Sequence, residues 1–463
     1  MIHRLSGFDT AFLLLEGPSQ PIHQCSLAEL DVSAVPGGYS FEAFRDRLAA
    51  RADALPEFRA KLANTTLNLG TPAWVEDPDF DIDHHVHRID VPAPGGYAEL
   101  CEISRKLATE QMDRRRPMWD IWFIEGLDGV DPGTSGRVAA IIRTHHVFAD
   151  GVTSGNLWAQ LYADADAAPS SRVDGFGTFT PGQIALDGLK QVARRPWFFL
   201  SHVLPATIGG IVKTIRRMDL GQVMSSPFAA PPTPFNGDVS PQRTVAYAQL
   251  DLTEVEAIKA KFGVKVNDVM MALVSGTLRR YLERRTALPE RALIAIMPIS
   301  IYDESRPSRN QFTSVFSSLH TDIADPVQRL KAIAHANSVA KDHSSAIGST
   351  LMSDWTECIP TLYRTLVRLY AWSGIGKRQP MFNLSFSNVR GFQEHILGAP
   401  ILTNFPFGPV LSGVGLNITA STLNDHIGFG FVACPRLTPE ISDLADGIAV
   451  AMRELRDAEE HAA

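Results

Sequence analysis

Cysteine is scarce. Four residues, at 25, 101, 358 and 434, serve a chain of 463. Their spacing matches no CxxC or zinc pattern, and four over this length make no disulfide framework, which fits a reducing compartment. Excess positive charge is also lacking. Lys and Arg number 43 against 51 Asp and Glu, a formal net charge of −8, so overall charge argues against a nucleic-acid partner. No run of eighteen apolar residues occurs, so no transmembrane helix is expected. The apolar run within MIHRLSGFDTAFLLLEG spans five residues, too few for a signal-peptide core. What remains is ordinary for a globular protein: 45% hydrophobic and 20% charged residues, in about two or three domains by length.

One stretch approaches the membrane limit. ARRPWFFLSHVLPATIGGIVKTIRR, residues 193–217, is apolar in its middle and basic at both ends, and two prolines and a Gly-Gly pair interrupt it. It reads as too short and too broken to span. Two readings stand: an interfacial segment with Trp197, Phe198 and Phe199 inserted and arginines near anionic headgroups, or a buried helix pair.

Elsewhere periodicity predicts helices over 41–52, 98–113 and the C-terminal EISDLADGIAVAMRELRDA. Arg114 to Arg116 then read either as phosphate contacts or, the preferred reading, as favourable charge at a helix C-terminus. WDIWFIEGL and RVAAIIRTHH predict neighbouring antiparallel strands. TEVE at 253–256 reads as a capping box whose helix ends at Gly263, and Asn267 as the N-cap of an apolar helix. Further strands are expected in YAQLDL, ALIAIMPISI, FNLSFSNVR, PILTNFPF, VGLNITAST and HIGFGFVAC. The pattern is α/β in two halves: residues 1–165, a crossover with helices over 166–243, and residues 244–463.

Two histidine pairs compete for attention. In THHVFADG (144–151) a strand runs in and a helix runs out. Successive strand side chains alternate, so His145 and His146 should diverge, one toward a cleft and one into scaffold. Asp150 suits the helix start or a pairing with an arginine, and Gly151 permits the turn. A neutral imidazole at a strand end suits a general base for a hydroxyl or thiol. The motif holds no Ser or Cys nucleophile, so direct transfer fits better than a covalent acyl-enzyme. Diverging histidines fit a metal site poorly, and no metal or cofactor is expected. The second set, His84, His85 and His87, lacks the Asp-Gly and helix and reads as exposed strand decoration.

HHVFADG fits the HHxxxDG pattern of CoA-dependent acyltransferases and peptide-synthetase condensation domains. LSGFDTAFLLLEGPSQPIHQ, PAWVEDPDFDIDHHV, RRRPMWDIWFIEGL, TPFNGDVSPQR, VNDVMMALVSGTLRRYL, MPISI and SNVRG, in that order, together resemble the bacterial wax ester synthase/diacylglycerol acyltransferase family over nearly the whole chain. The resemblance implies two chloramphenicol-acetyltransferase-like α/β domains with the active site at their interface. Acyl-CoA would be a substrate and diacylglycerol or a long-chain alcohol the acceptor, giving triacylglycerol or wax ester. His146 would be the base, His145 and Asp150 would support it, and Asn267-Asp268, Pro117, Trp119, Ser387 and Asn388 would bind substrate or hold the fold. Lipid substrates imply a cytoplasmic protein, peripheral at the inner membrane face or on lipid droplets. The chain departs from the family pattern at Arg390 and Phe392, where SNVPGP has prolines, and at Arg309-Asn310 in place of Gly-Asn. Thr422-Leu423 and Asp425 depart too. These positions bear on acceptor choice and rate. They keep open a same-fold enzyme using another alcohol or a carrier thioester, or a decayed lipid- or CoA-binding relative.

Overall fold

The computed structural model describes residues 2–35, 37–63, 69–127, 137–148, 151–163, 175–301, 310–390 and 394–460. In chain order its strands are β1 His23–Asp31, β2 Ala60–Leu62, β3 Trp74–Glu76, β4 Val86–Asp90, β5 Trp119–Glu125, β6 Arg137–His145, β7 Thr244–Asp251, β8 Ile294–Ser300, β9 Phe312–Ser318, β10 Leu384–Arg390, β11 His395–Ile396, β12 Ala399–Phe407, β13 Leu416–Leu423 and β14 His426–Ala433.

They form two six-stranded sheets, ordered β11-β12-β1-β6-β5-β4 and β7-β14-β13-β10-β8-β9, with β2 and β3 as a small hairpin. β5 and β6 pair antiparallel as the sequence predicts, Trp119 opposite Thr144. Residues 395–407, late in the chain, complete the first sheet: β12 lies antiparallel to β1, Cys25 opposite Phe407. HIGFGFVAC makes this crossing possible. A Cβ on Gly430 would sit 1.9 Å from the Pro406 carbonyl oxygen, and one on Gly428 2.1 Å from that of Asn404. Only glycine lets β12 and β14 approach so closely.

Each half has its own apolar core. Phe44, Phe58, Trp119, Phe123 and Phe148 fill one face of the first sheet. In the second half the helix Val266–Arg284 is buried along most of its length, packed between helices Pro326–Ile347 and Ser442–Glu460. Its cap differs from the sequence reading. Lys265, not Asn267, holds the N-cap position, and Asp268 accepts the Lys265 N–H at 3.0 Å. Likewise Asp251, not the TEVE box, caps Leu252–Phe262 by accepting the Thr253 N–H, while Gly263 does close that helix with φ of 64°. In both cases a carboxylate one or two residues from the expected position bonds an N–H at the helix start.

The segment at 193–217 is not broken. It lies in a continuous 38-residue helical stretch, Pro181–Met218, with a π-helical turn, Phe199–Val203, between Pro196 and Pro205. A wide turn of this kind takes up the register lost at a proline. By length and composition the stretch would suffice to cross a membrane, which the interrupting prolines had argued against.

Candidate active site

β6 delivers the histidine pair, and the two rings do diverge. His145, the last strand residue, is buried; its Nδ1 accepts the Val147 N–H at 3.1 Å, so its proton sits on Nε2. Nε2 faces Glu16 Oε1 at 3.4 Å, close enough for attraction and longer than a good hydrogen bond. Arg114 grips the other Glu16 oxygen, its Nε at 2.6 Å. Burial alone would raise the Glu16 carboxyl; His145 and Arg114 outweigh it and hold the group at about 2. Arg114 therefore does not serve the C-terminus of the helix Tyr97–Thr109, as the sequence suggested. It braces the histidine from behind.

His146 lies half-buried just past the strand, its N–H bonded to the Ile22 carbonyl. Its ring stacks on Phe12, with centroids 4.5 Å apart and planes 10° from parallel, while Phe312 leans in at 6.4 Å. Phe8 meets both phenylalanines edge-on. From the other half of the chain comes Asn310. Its Nδ2 donates to Asp9 Oδ1 and to the His146 carbonyl, each at 2.6 Å. Its Oδ1 is thereby turned to His146 Nδ1, at 3.4 Å. That assigns the proton to Nδ1 and the lone pair to Nε2, for which no hydrogen bond is seen among the described residues. Burial pushes the imidazole down to about 4, against the raising effect of the Asn310 bond, so the ring is neutral near pH 7.

Three of these partners come from one helix, Gly7–Leu15, and its C-cap. Asp9, Phe12 and Glu16 are spaced by three and four residues, which puts them on one helical face. Each meets a different part of the site: Asp9 the Asn310 amide, Phe12 the His146 ring, Glu16 the His145 ring. The sequence reading missed all three, although their spacing in GFDTAFLLLEG is a visible signal. The turn that follows, Gly17–Gln20, is tied down by Arg243, whose guanidinium donates to the Ser19 carbonyl at 2.8 Å.

The other expected residues fall into place as follows. Asp150 lies outside the described residues, and Gly151 begins the helix Gly151–Tyr162. Pro117 precedes Met118, whose carbonyl accepts the His145 N–H at 3.1 Å. Trp119 is buried, donating to the Phe58 carbonyl at 2.7 Å, so it supports the fold. Asp268 is buried and accepts from Asn337 at 2.7 Å, and Asn267 leans toward Met271. Ser387 is half-buried and Asn388 exposed on β10; among the described residues neither bonds to His146. The second histidine set is not exposed decoration throughout. His84 ends a 3-10 turn, His85 follows it, and only His87 lies in β4. His85 is buried between Phe80 and Trp119, its Nδ1 donating to the Trp119 carbonyl at 2.8 Å. The short turn, unseen in the sequence, shifts the register and sends the ring into the core.

Sequence models of two domains match this chain: the wax ester synthase/diacylglycerol acyltransferase catalytic domain over residues 5–270 and the corresponding C-terminal domain over 309–456. A candidate diacylglycerol O-acyltransferase of Mycobacterium tuberculosis (strain H37Rv) is 44% identical over 98% of this chain and 90% of its own length. A second from the same organism is 33% identical over 98% and 97%. Among solved structures, the wax ester synthase/diacylglycerol acyltransferase from Marinobacter aquaeolei VT8 superposes with a TM-score of 0.70 at 25% identity, covering 98% of each chain. The first condensation domain of the CDA synthetase, at 13% identity and a TM-score of 0.60 over 99% and 97%, shares the fold. The chain belongs to the wax ester synthase/diacylglycerol acyltransferase family and is an acyltransferase.

Proposed function

We propose that this enzyme transfers a fatty acyl group from acyl-CoA to the free hydroxyl of diacylglycerol, forming triacylglycerol, with long-chain alcohols as a second acceptor class. One observation carries the mechanistic reading: Asn310, from the other half of the chain, turns its Oδ1 to His146 Nδ1, which puts the proton there and the basic lone pair on Nε2. Nε2 takes the proton from the acceptor hydroxyl. The oxygen attacks the thioester carbonyl, the C–S bond breaks, and the CoA thiolate takes up the proton from the imidazolium. General-base assistance of this kind contributes roughly 10²–10⁴-fold, and holding both substrates in line supplies more. No cofactor enters this chemistry. His145 and Glu16 act through position. The acceptor and product partition into lipid, so we place the protein in the cytoplasm, peripheral at the inner membrane face or on lipid droplets.

The test is CoA release from palmitoyl-CoA by purified protein, offered dioleoylglycerol or hexadecanol in parallel, with His146→Ala as the control. His146-dependent release with dioleoylglycerol supports the reading, and release with hexadecanol alone moves it to wax ester synthesis. Near-full activity of His146→Ala would remove His146 from the role of base.

A further inference from the structure

The helical stretch Pro181–Met218 is built inside out for a protein surface. The residues it buries against the body are Ile184, Gly188, Val203 and Gly210, two of them glycines. A Cβ on Gly188 would fall 1.8 Å from the Leu69 carbonyl oxygen. Most of its large apolar side chains face outward: Leu186, Leu189, Trp197, Leu200, Ile208 and Ile215 are all more than half exposed, Trp197 at 75%. These recur at spacings close to multiples of a helical turn, as one face of a helix does. A soluble surface helix normally has the reverse arrangement, and a continuous exposed apolar face marks an interaction site.

A second face of the same kind lies nearby. On Pro360–Ser373, Leu366, Leu369 and Trp372 are exposed, Trp372 at 86%. Between the two runs the helix Leu351–Cys358. Its Trp355 packs on Phe199 with ring centroids 5.5 Å apart and donates to Thr207 Oγ1 at 2.9 Å. The same helix abuts Gly7–Leu15, where the Gly7 N–H donates to Glu357 at 2.6 Å. Phe12 of Gly7–Leu15 is the ring stacked on His146. The apolar faces thus flank a helix that packs on Gly7–Leu15, the helix whose Phe12 covers the reactive histidine.

Charge selects the occupant. Within 181–218 there are six basic residues, Lys190, Arg194, Arg195, Lys213, Arg216 and Arg217, against one acidic residue, Asp187. Asp187 is already paired with Arg4 at 2.6 Å. This basic strip sits in a chain of net charge −8. Apolar side chains flanked by cations fit the headgroup boundary of an anionic bilayer. Geometry favours lying flat over spanning. At 1.5 Å per residue the stretch is about 57 Å long, well beyond a hydrocarbon core of ~30 Å. It is also tied to the body along its length, through Asp187 to Arg4, Thr207 to Trp355 and Thr214 to His343.

We propose that the outward faces of Pro181–Met218 and Pro360–Ser373 dock together on an anionic phospholipid bilayer, setting the helices over His146 against the membrane so that a lipid acceptor reaches it without crossing water. The purpose assigned to docking rests on the acyl-transfer reading; the docking itself is measured apart from it. The full-length protein is sedimented with vesicles of phosphatidylcholine alone or mixed with phosphatidylglycerol. Wild type is expected in the pellet only with the anionic vesicles. The triple variant Trp197→Ser, Leu200→Ser, Ile208→Ser should lose binding about tenfold or more, as expected when several inserted apolar groups are removed. Arg194→Glu with Lys213→Glu should abolish the phosphatidylglycerol dependence. The triple variant should keep wild-type CoA release with a water-soluble short-chain alcohol and lose it with vesicle-borne dioleoylglycerol, which shows that it is folded. Equal pelleting of wild type and triple variant overturns the proposal, as does equal binding to neutral vesicles. A concentration-dependent dimer without vesicle binding, dispersed by Trp197→Ser, would make the face an interface between copies and overturn it too. Vesicle binding without CoA release from any acceptor would leave docking standing and sink the reaction.

Discussion

Asn310 and His146, 164 residues apart, are joined twice: the amide Nδ2 donates to the His146 carbonyl at 2.6 Å, and Oδ1 faces Nδ1 at 3.4 Å. The first contact fixes the backbone after β6 and the second fixes the tautomer. Removing the amide should therefore hurt turnover more than binding. Asn310→Ala is expected to lower kcat about 10–100-fold, the usual scale for losing a group that orients a reactive residue, with KM for acyl-CoA changed little. A kcat within twofold of wild type would refute the assignment.

Glu16 links Arg114 to His145. Glu16→Gln keeps the shape and removes the charge. It should cost several-fold in kcat by loosening His145, and should destabilise the fold because Arg114 loses its partner. Arg114 is partly exposed, so water screens much of the pair. A double-mutant cycle with Arg114→Ala should give a coupling of about 1 kcal/mol. Additive effects would mean that the two side chains act independently.

Three histidines, His23 and His85 buried and His146 half-buried, should make the protein sensitive to acid. Burial pushes His23 down to about 3, with Arg143 and His145 adding to it, and pushes His85 and His146 to about 4. The unfolded chain binds these protons near the usual 6.5. Between about 6.5 and 4 it therefore holds more protons than the fold, and stability drops as pH falls through that window. Thermal unfolding followed from neutral pH to about 4.5 should show a steep loss of Tm below 6.5. The acid limb of kcat/KM should lie well below 6.5, since the base titrates low. A limb near 6.5 would mean that His146 is not buried in the working enzyme.

Glu357 behaves in the opposite sense. Burial, helped by Asp9 and against the Gly7 N–H, raises it to about 7. A raised acid favours the fold below its unfolded value of 4.5, and that contribution is lost as pH rises through 7. Glu357→Gln keeps an acceptor for the Gly7 N–H and never ionises. It should match wild type near pH 5 and melt higher above about pH 8. Equal Tm values at both would place Glu357 in contact with water.

His85 tests scaffold against chemistry. It is stacked between two aromatic rings in the core. His85→Ala should cost about 2–4 kcal/mol of stability, the range for a buried large-to-small change. kcat per folded molecule should stay near that of wild type; a selective loss of kcat would give His85 a part in catalysis.

The sequence by itself determined the local elements: antiparallel β5 and β6, the strand ending in a histidine pair whose rings diverge, and the helices at 41–53 and 442–460. Hydrophobic period and caps are short-range properties, so they survive in a linear reading. The family motifs were equally local. Tertiary structure decided what the period could not carry. β12 joins β1 across nearly four hundred residues, and Asn310 completes a site begun at Asp9 and His146. His85 turns inward because one 3-10 turn resets the alternation of side chains. The apolar face of Pro181–Met218 points outward although its composition alone equally suits a buried helix. Which side of such a helix meets the body depends on partners far along the chain. Here two glycines that allow close approach share the inner face with Ile184 and Val203, and most of the large side chains were left outside.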